Sequence, residues 1–325
     1  MEQSVALASF KDVAPDSDEF LQEVLDGLGR DPKSLPSKYF YDEYGSDLFN
    51  QICLLPEYYP TRTETSLLRH IAGEVAALVG PNSCLIEYGT GSSEKMRIVL
   101  DALEAPLAFV AVDISREHLL VATKVLAADL PDLTVHAVCA DYSKPFALPL
   151  VEGTNVGQRV AFFPGSSLGN FTPQAAENFL TTAAGVVGPG GGMLVGIDMK
   201  KDERVLNAAY NDAQGVTAAF NLNLLNRLNA ELAGTFDLSQ FQHKAFYNAE
   251  AGRIEMHLES LVDQTADVGG VAFEFRKGET IHTENSYKYS IAEFQDLARR
   301  SGFSPLKVWT APDNLFSIHF LEVAD

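Results

Sequence analysis

Leu85-Ile86-Glu87-Tyr88-Gly89-Thr90-Gly91-Ser92-Ser93-Glu94-Lys95, with Phe109-Val110-Ala111-Val112-Asp113 downstream, is the stretch on which the fold turns. An apolar run ends in an acid and a Gly-x-Gly turn, a helix-like stretch follows, and a second apolar run ends in a carboxylate. In a parallel α/β sheet this order sets a glycine turn against a nucleoside-bearing cofactor and the second carboxylate, Asp113, on its ribose hydroxyls. Where a dinucleotide fingerprint carries its third glycine, this chain has Glu94, whose charge repels a pyrophosphate at a helix N-terminus. S-Adenosylmethionine (SAM) has no phosphate and bears a sulfonium and an ammonium, which an acidic rim suits. SAM is therefore the leading ligand. A nicotinamide cofactor and a plain strand-to-helix turn with a surface acid are the other readings.

Outward from that stretch, the middle third alternates strand-like segments at 84–88, 108–113, 133–139, 158–163 and 192–198 with helix-like ones at 93–103, 116–128 and 173–187. Gly188-Pro189-Gly190-Gly191-Gly192 precedes a strand and lacks the Lys-Ser/Thr of a phosphate loop, so it reads as a helix stop. Past residue 200 the alternation breaks. One long helical stretch over 202–232 is expected, then strands at 243–249, 252–263 and 271–277, and the segment Ile281–Ser286. A helix at 291–301 and strands at 305–310 and 315–323, turning at Asp313-Asn314, resume the α/β pattern as an antiparallel edge. A doubly wound sheet with an inserted lobe follows, the first 60 residues joining the lobe.

Bulk properties exclude several classes. The 325 residues are 46% hydrophobic with a net charge of −20, which argues against a nucleic-acid partner, because phosphate-backbone affinity needs clustered Lys and Arg. No apolar run reaches membrane-spanning length, no basic membrane helix is present, and Met1-Glu2-Gln3 lacks the basic start of a secretion signal. Cys53, Cys84 and Cys139 are odd in number and widely spaced, which suits reduced core thiols in a cytoplasmic protein. No zinc-ligand spacing exists among them and the seven histidines. The expected partner is a small neutral or cationic molecule, and the expected state is a monomer without metal.

Ligands of open α/β sheets sit outside the carboxyl ends of the strands, which gathers Glu87, Gly89, Asp113, Asp141, Tyr142 and the loop 164–170. Asp141 is placed to take an adenine amino group and Tyr142 to cover its ring; a helix cap and a half-buried aromatic is the alternative. The loop Gly165-Ser166-Ser167-Leu168-Gly169-Asn170 sits where a methyl acceptor would lie, or is an ordinary turn. The runs Lys38–Phe49 and Leu55–Arg62 carry five tyrosines, whose hydroxyls need partners if buried. They suit a wall of donors around a polar ligand.

Tyr41-Asp42 with Gly45-Ser46-Asp47-Leu48-Phe49, the Leu55–Arg62 run, Glu87-x-Gly-x-Gly-x-x-Glu-Lys95, Gly165-Ser166-x-x-Gly169-Asn170 and Thr283-Glu284-x-Ser286 together resemble the SAM-dependent histidine N-α-methyltransferases of ergothioneine biosynthesis. The resemblance runs nearly the length of the chain, in order. It implies trimethylation of the α-amine of L-histidine to hercynine, on a Rossmann-like class I methyltransferase core (61–198 plus 287–325) with a mixed α+β substrate lobe (1–60 plus 199–286). By the same resemblance Glu87, Gly89, Lys95, Asp113, Asp141 and Tyr142 contact SAM. Tyr58, Gly165, Asn170 and Tyr210 hold the amino acid's amine and carboxylate, with Tyr41 nearby, and Met256, Glu284, Asn285 and Ser286 form the imidazole pocket. Tyr41, Asn170 and Gly165 are the candidate catalytic positions. Tyr142 stands where the family more often has Phe. A relative acting on another aromatic amino acid, such as a tryptophan derivative, is the nearest alternative, and a catalytically silent SAM-binding scaffold is a further one.

Overall fold

The computed structural model describes residues 7–90, 93–144, 146–149 and 156–324. Gly91 and Ser92, the second half of the glycine turn, lie outside them. The described chain falls into two compact units, the first built from 7–14, Pro60–Lys200 and 288–324, the second from Pro15–Tyr59 and Lys201–Tyr287.

The first unit is an eight-stranded sheet. Its strands are β1 (Ser9–Val13), β3 (Cys84–Tyr88), β4 (Ala108–Asp113), β5 (Thr134–Ala140), β6 (Arg159–Phe163), β7 (Gly192–Asp198), β13 (Phe303–Thr310) and β14 (Phe316–Val323), in the order β1-β5-β4-β3-β6-β7-β14-β13. β1 through β7 pair in parallel, and β14 runs antiparallel to both its neighbours. Every residue of β3 and β7 is buried, which is why these strands read as unbroken apolar runs rather than as alternation. Connections are the helices α3 (Tyr59–Val79), α4 (Ser93–Ala102), α5 (Arg116–Asp129), α6 (Pro173–Val187) and α9 (Ile291–Arg300). Leu68, Ile71 and Val75 of α3, Val99 and Leu100 of α4, and Leu119 and Leu126 of α5 pack with Leu85, Phe109 and Phe162 of the sheet in one core. Helix spacings of three and four put those side chains on single faces.

The second unit joins α1 (Ser17–Leu28), α2 (Glu43–Ile52), α7 (Glu203–Ala209) and α8 (Val216–Glu231) to a four-stranded sheet and a hairpin. The sheet runs β2 (Lys33–Ser34), β12 (Thr280–Tyr287), β9 (Arg253–Ser260), β8 (Phe241–Asn248), and the hairpin is β10 (Gln264–Val268) with β11 (Val271–Phe275).

Two expectations change. The first 60 residues do not all join the lobe, because Ser9–Val13 pairs in parallel with His136–Ala140 and extends the large sheet. The single helix expected over 202–232 is two. Asp212 accepts from the Val216 and Thr217 amides at 2.9 and 2.8 Å, and Gly215 takes the left-handed φ of 74° that starts α8. That is a capped start rather than a continuing turn. The three cysteines are free thiols, and burial pushes Cys84 to about 11 and Cys139 to about 12. Among the described residues no helix is long and apolar enough to cross a membrane.

Candidate functional site

The cofactor candidates converge at the strand ends of the first unit. Gly89 leaves β3 at φ 78°, its amide donating to the Val112 carbonyl at 2.8 Å. A β-carbon there would stand 3.8 Å from the Tyr142 hydroxyl, so a side chain at this position would fill the space beside the tyrosine. Asp113 spends its carboxylate on the turn: Oδ2 accepts from the Thr90 amide at 2.7 Å and Oδ1 from Ser115 at 2.8 Å. Asp141 closes a turn of its own, accepting from the Ser143 amide and hydroxyl at 2.9 and 2.5 Å. The Tyr142 ring meets Tyr88, Phe163, Phe171 and Phe179 edge-on at centroid distances of 5.7–6.2 Å, and burial raises its phenol pKa.

Glu87 is 1% exposed, and its Oε2 has no hydrogen-bond partner among the described residues. Burial lifts its carboxyl well above the usual range; Asp113 and Glu64 add to the rise and Lys95 opposes it. Three carboxyl groups therefore share the field of one ammonium. Lys95 itself is ion-paired to Glu64 at 2.5 Å, and the Glu64 carboxylate also accepts from the Gly165 amide at 2.8–3.0 Å. Glu64 was not anticipated from the sequence. Its signal is a carboxylate on the buried stripe of α3, four residues before Leu68 and in phase with Ile71 and Val75. Gly196 on β7 makes room for it, because a β-carbon there would lie 2.0 Å from Glu64 Oε1.

The loop after β6 is a built turn. Ser166 adopts a left-handed φ of 57°, which costs a non-glycine residue about 1 kcal/mol, and its hydroxyl accepts from the Asp198 amide at 2.9 Å. Asn170 ends the short helix Ser167–Asn170, half-buried.

In the second unit, register gathers the acceptor candidates. β9 and β12 pair antiparallel with Glu284 directly across from Met256 and Ser286 across from Ile254. A β-bulge between His282 and Glu284 shifts the phase, so that Thr283 and Glu284 are both buried, at 1% and 9% exposure. The Tyr210 hydroxyl donates to Ser286 Oγ at 2.8 Å, and the Tyr58 and Tyr210 rings lie 6.1 Å apart. Burial raises the Tyr58 phenol well above its usual value, and Tyr210, Cys53, Glu284 and Tyr41 raise it further. The structure thus brings Tyr41, Tyr58, Tyr210, Met256, Glu284 and Ser286 together.

Asn285 does not join them. It pairs with Glu255, and strand alternation points it to the opposite face. On that face Glu255, His257 and His282 bring donor atoms within 4.8 Å of one another. The carboxylate is already matched by Arg253 at 2.7 Å and His257 at 3.0 Å, which makes the cluster an ion-paired network centred on Glu255, whose carboxyl falls to about 2.

The model for the family "Histidine-specific methyltransferase, SAM-dependent" matches residues 20–323. The chain belongs to that family. Among its relatives in this histidine-specific group, the Histidine N-alpha-methyltransferase of Mycolicibacterium smegmatis is 39% identical over 97% of this chain and 98% of its own. That of Mycobacterium tuberculosis is 40% identical over 89% and 90%. More distant is the 4-dimethylallyltryptophan N-methyltransferase easF of Aspergillus fumigatus, 27% identical over 90% of each chain. A solved S-adenosylmethionine-dependent methyltransferase from Clostridium acetobutylicum resembles the chain with a TM-score of 0.46 and 10% identity, over 81% of this chain and 92% of its own. The fold is the Rossmann-like class I core, and the methyl donor of this histidine-specific family is SAM.

Proposed function

We infer that this protein transfers methyl groups from SAM to the α-amine of L-histidine, carrying it to the trimethylated product hercynine, a step of ergothioneine biosynthesis. The observation that supports this most is the pairing of Glu284 with Met256, a carboxylate beside a soft apolar wall. That combination rewards a side chain with a ring N–H such as imidazole, and a purely apolar side chain would leave the carboxylate without a partner. The 39% identical relative is named a histidine N-alpha-methyltransferase.

SAM fits the first unit on two counts: an excess of carboxylate around Glu87, which suits its two cationic groups, and the space that Gly89 leaves beside Tyr142. When bound it supplies an electrophilic methyl group on a sulfonium. Glu87, Gly89, Asp113, Asp141 and Tyr142 are the residues we assign to hold it, with Lys95 kept in place by Glu64. The protein's share of the chemistry is then alignment of a neutral amine with that methyl. The Gly165 carbonyl and Asn170 are the groups we assign to the nitrogen. Tyr58 keeps its proton at the phenol oxygen, since its acidity is suppressed, so it acts as a donor and an aromatic face rather than as a base. Such a face also tolerates the fixed cation that grows over three rounds.

Mass spectrometry of the protein with SAM and each of the twenty amino acids tests this. The expected result is a gain of three methyl groups on histidine alone. Methylation of tryptophan in place of histidine would overturn the acceptor and keep the reaction class.

A further inference from the structure

Buried amides are uncommon in helix interiors, because Asn is a poor helix former and its desolvation must be matched by hydrogen bonds. α8 nevertheless carries Asn221 with no exposure at all. Its side chain is fully engaged. Nδ2 donates to the His257 carbonyl at 2.9 Å and to His243 Nδ1 at 2.9 Å, and Oδ1 accepts from the Thr283 hydroxyl at 2.7 Å. Each partner leads to a member of the acceptor set. His257 follows Met256 on β9. Thr283 precedes Glu284 on β12 and is the bulged residue, its hydroxyl also 3.1 Å from the Met256 carbonyl. His243, on β8, is hydrogen-bonded through Nε2 to the Tyr210 carbonyl at 2.9 Å.

The partners fix the states of these groups. The Tyr210 carbonyl only accepts, so His243 carries its proton on Nε2; the Asn221 amide nitrogen only donates, so Nδ1 is bare. His243 is thus a neutral imidazole, and burial lowers its pKa accordingly. Replacing the amide by an apolar group would take the donor from His243 Nδ1 and the His257 carbonyl and one of two acceptors from the Thr283 hydroxyl. One side chain holds three segments that are far apart in sequence.

We propose that Asn221 is the positioning residue for amino-acid recognition, a hub that sets Met256, Glu284 and Tyr210 in register with one another while touching none of the reacting atoms. Reaching Tyr210 through His243 and Glu284 through Thr283, it fixes where the imidazole is read relative to where the amino-acid end is held. This rests on the histidine-methylating reading given above. The bulge at Thr283 supplies the reason for a dedicated holder. A bulged residue lacks a ladder partner, so the phase of Glu284 depends on what anchors Thr283.

The experiment compares the wild-type protein with Asn221→Leu, Asn221→Asp and Thr283→Val, measuring kcat and KM for L-histidine, SAM affinity by calorimetry, and melting temperature. It also measures turnover of β-(2-thienyl)alanine, which matches histidine in shape and lacks the ring N–H. A hub predicts that Asn221→Leu raises the histidine KM about tenfold, as a sub-ångström displacement of recognition groups does, with SAM affinity within about twofold. It also predicts that histidine loses its advantage over the thienyl analogue. Thr283→Val, which cuts one arm and keeps the shape, should show the same change of preference to a lesser degree. If Asn221→Leu is too unstable to purify, Asn221→Asp and Thr283→Val carry the test alone. A lower melting temperature with unchanged histidine KM and unchanged preference would mark Asn221 as structural and overturn the proposal. A wild-type protein that leaves histidine unmethylated would instead overturn the functional reading, and this one with it.

Discussion

The two units solve the problem of a polar site in opposite ways. The first leaves a carboxyl unmet: Glu87 is buried with one oxygen that has no partner among the described residues, beside the carboxyls of Asp113 and Glu64 and the ammonium of Lys95. The second meets its polar atoms around the acceptor set with neutral hydrogen bonds, from Tyr210 to Ser286 and through Asn221 to three strands. Under the proposed function, a cationic ligand would supply a counter-charge to the first arrangement, and the second would discriminate among side chains by geometry.

The sharpest way to break this contrast is Glu284→Ala. Histidine turnover should fall by a factor on the order of 10³ or more, as in sites built around one buried hydrogen bond, while calorimetry shows SAM binding unchanged. Unchanged histidine kinetics would remove Glu284 from the acceptor set. Next in size is Gly196→Ala, whose new methyl displaces the Glu64 carboxylate from Lys95 and Gly165. A loss of about 2 kcal/mol of stability is expected from such overpacking, read by chemical denaturation, together with weaker SAM binding.

Glu87→Gln sharpens the contrast from the other side. Removing the charge should weaken SAM binding about tenfold, the equivalent of roughly 1.4 kcal/mol, and leave the histidine KM at saturating SAM unaltered. Because the folded protein raises the Glu87 pKa, the wild type loses stability as pH climbs from the ordinary carboxylate value through the raised one. The glutamine variant should not, and its ligand-free melting temperature near neutrality should exceed the wild type's.

The smallest effect concerns His319, fully buried on β14 and lowered by burial to about 4. A depressed histidine contributes stability above its unfolded value, near 6.5, and loses it as pH falls toward 4. His136, His243, His257 and His282 shift in the same direction. Melting temperature should therefore drop between pH 7 and 5, and His319→Gln should remove a part of that drop worth on the order of 1 kcal/mol.

Legibility in the sequence followed the same divide. The parallel strands were readable because burial on both faces leaves an apolar run that stops at a turn residue, as at Tyr88-Gly89 and Asp113. β1 was not, since Ser-Phe-Lys-Asp-Val on an exposed edge has no buried face to announce it. The acceptor set came from a family resemblance, because Tyr58 and Tyr210 stand in connections beyond helix ends, Met256 and Glu284 on two strands, and only the folded chain brings them together. Asn285 shows the limit of adjacency: it sits between two members of the set, and alternation turns it away. Asn221 had a signal, an amide in Phe220-Asn221-Leu222-Asn223-Leu224-Leu225 where an apolar helix face is expected. What that amide holds became visible only once three strands lay beside it.

The bulge at Thr283 also bears on how acceptor choice could change within such a fold. A strand has two phases, and one inserted or deleted residue exchanges them. Were the same residues paired regularly from His282 onward, without the bulge, Thr283 would stand across from Met256, the carboxylate of Glu284 would face the Glu255 network, and Asn285 would turn to the opposite face. A one-residue slip of this pairing would then do what no point substitution does, exchanging the chemical groups along one wall at once. A comparison of sequences made only column by column would misread such a slip as several independent mutations.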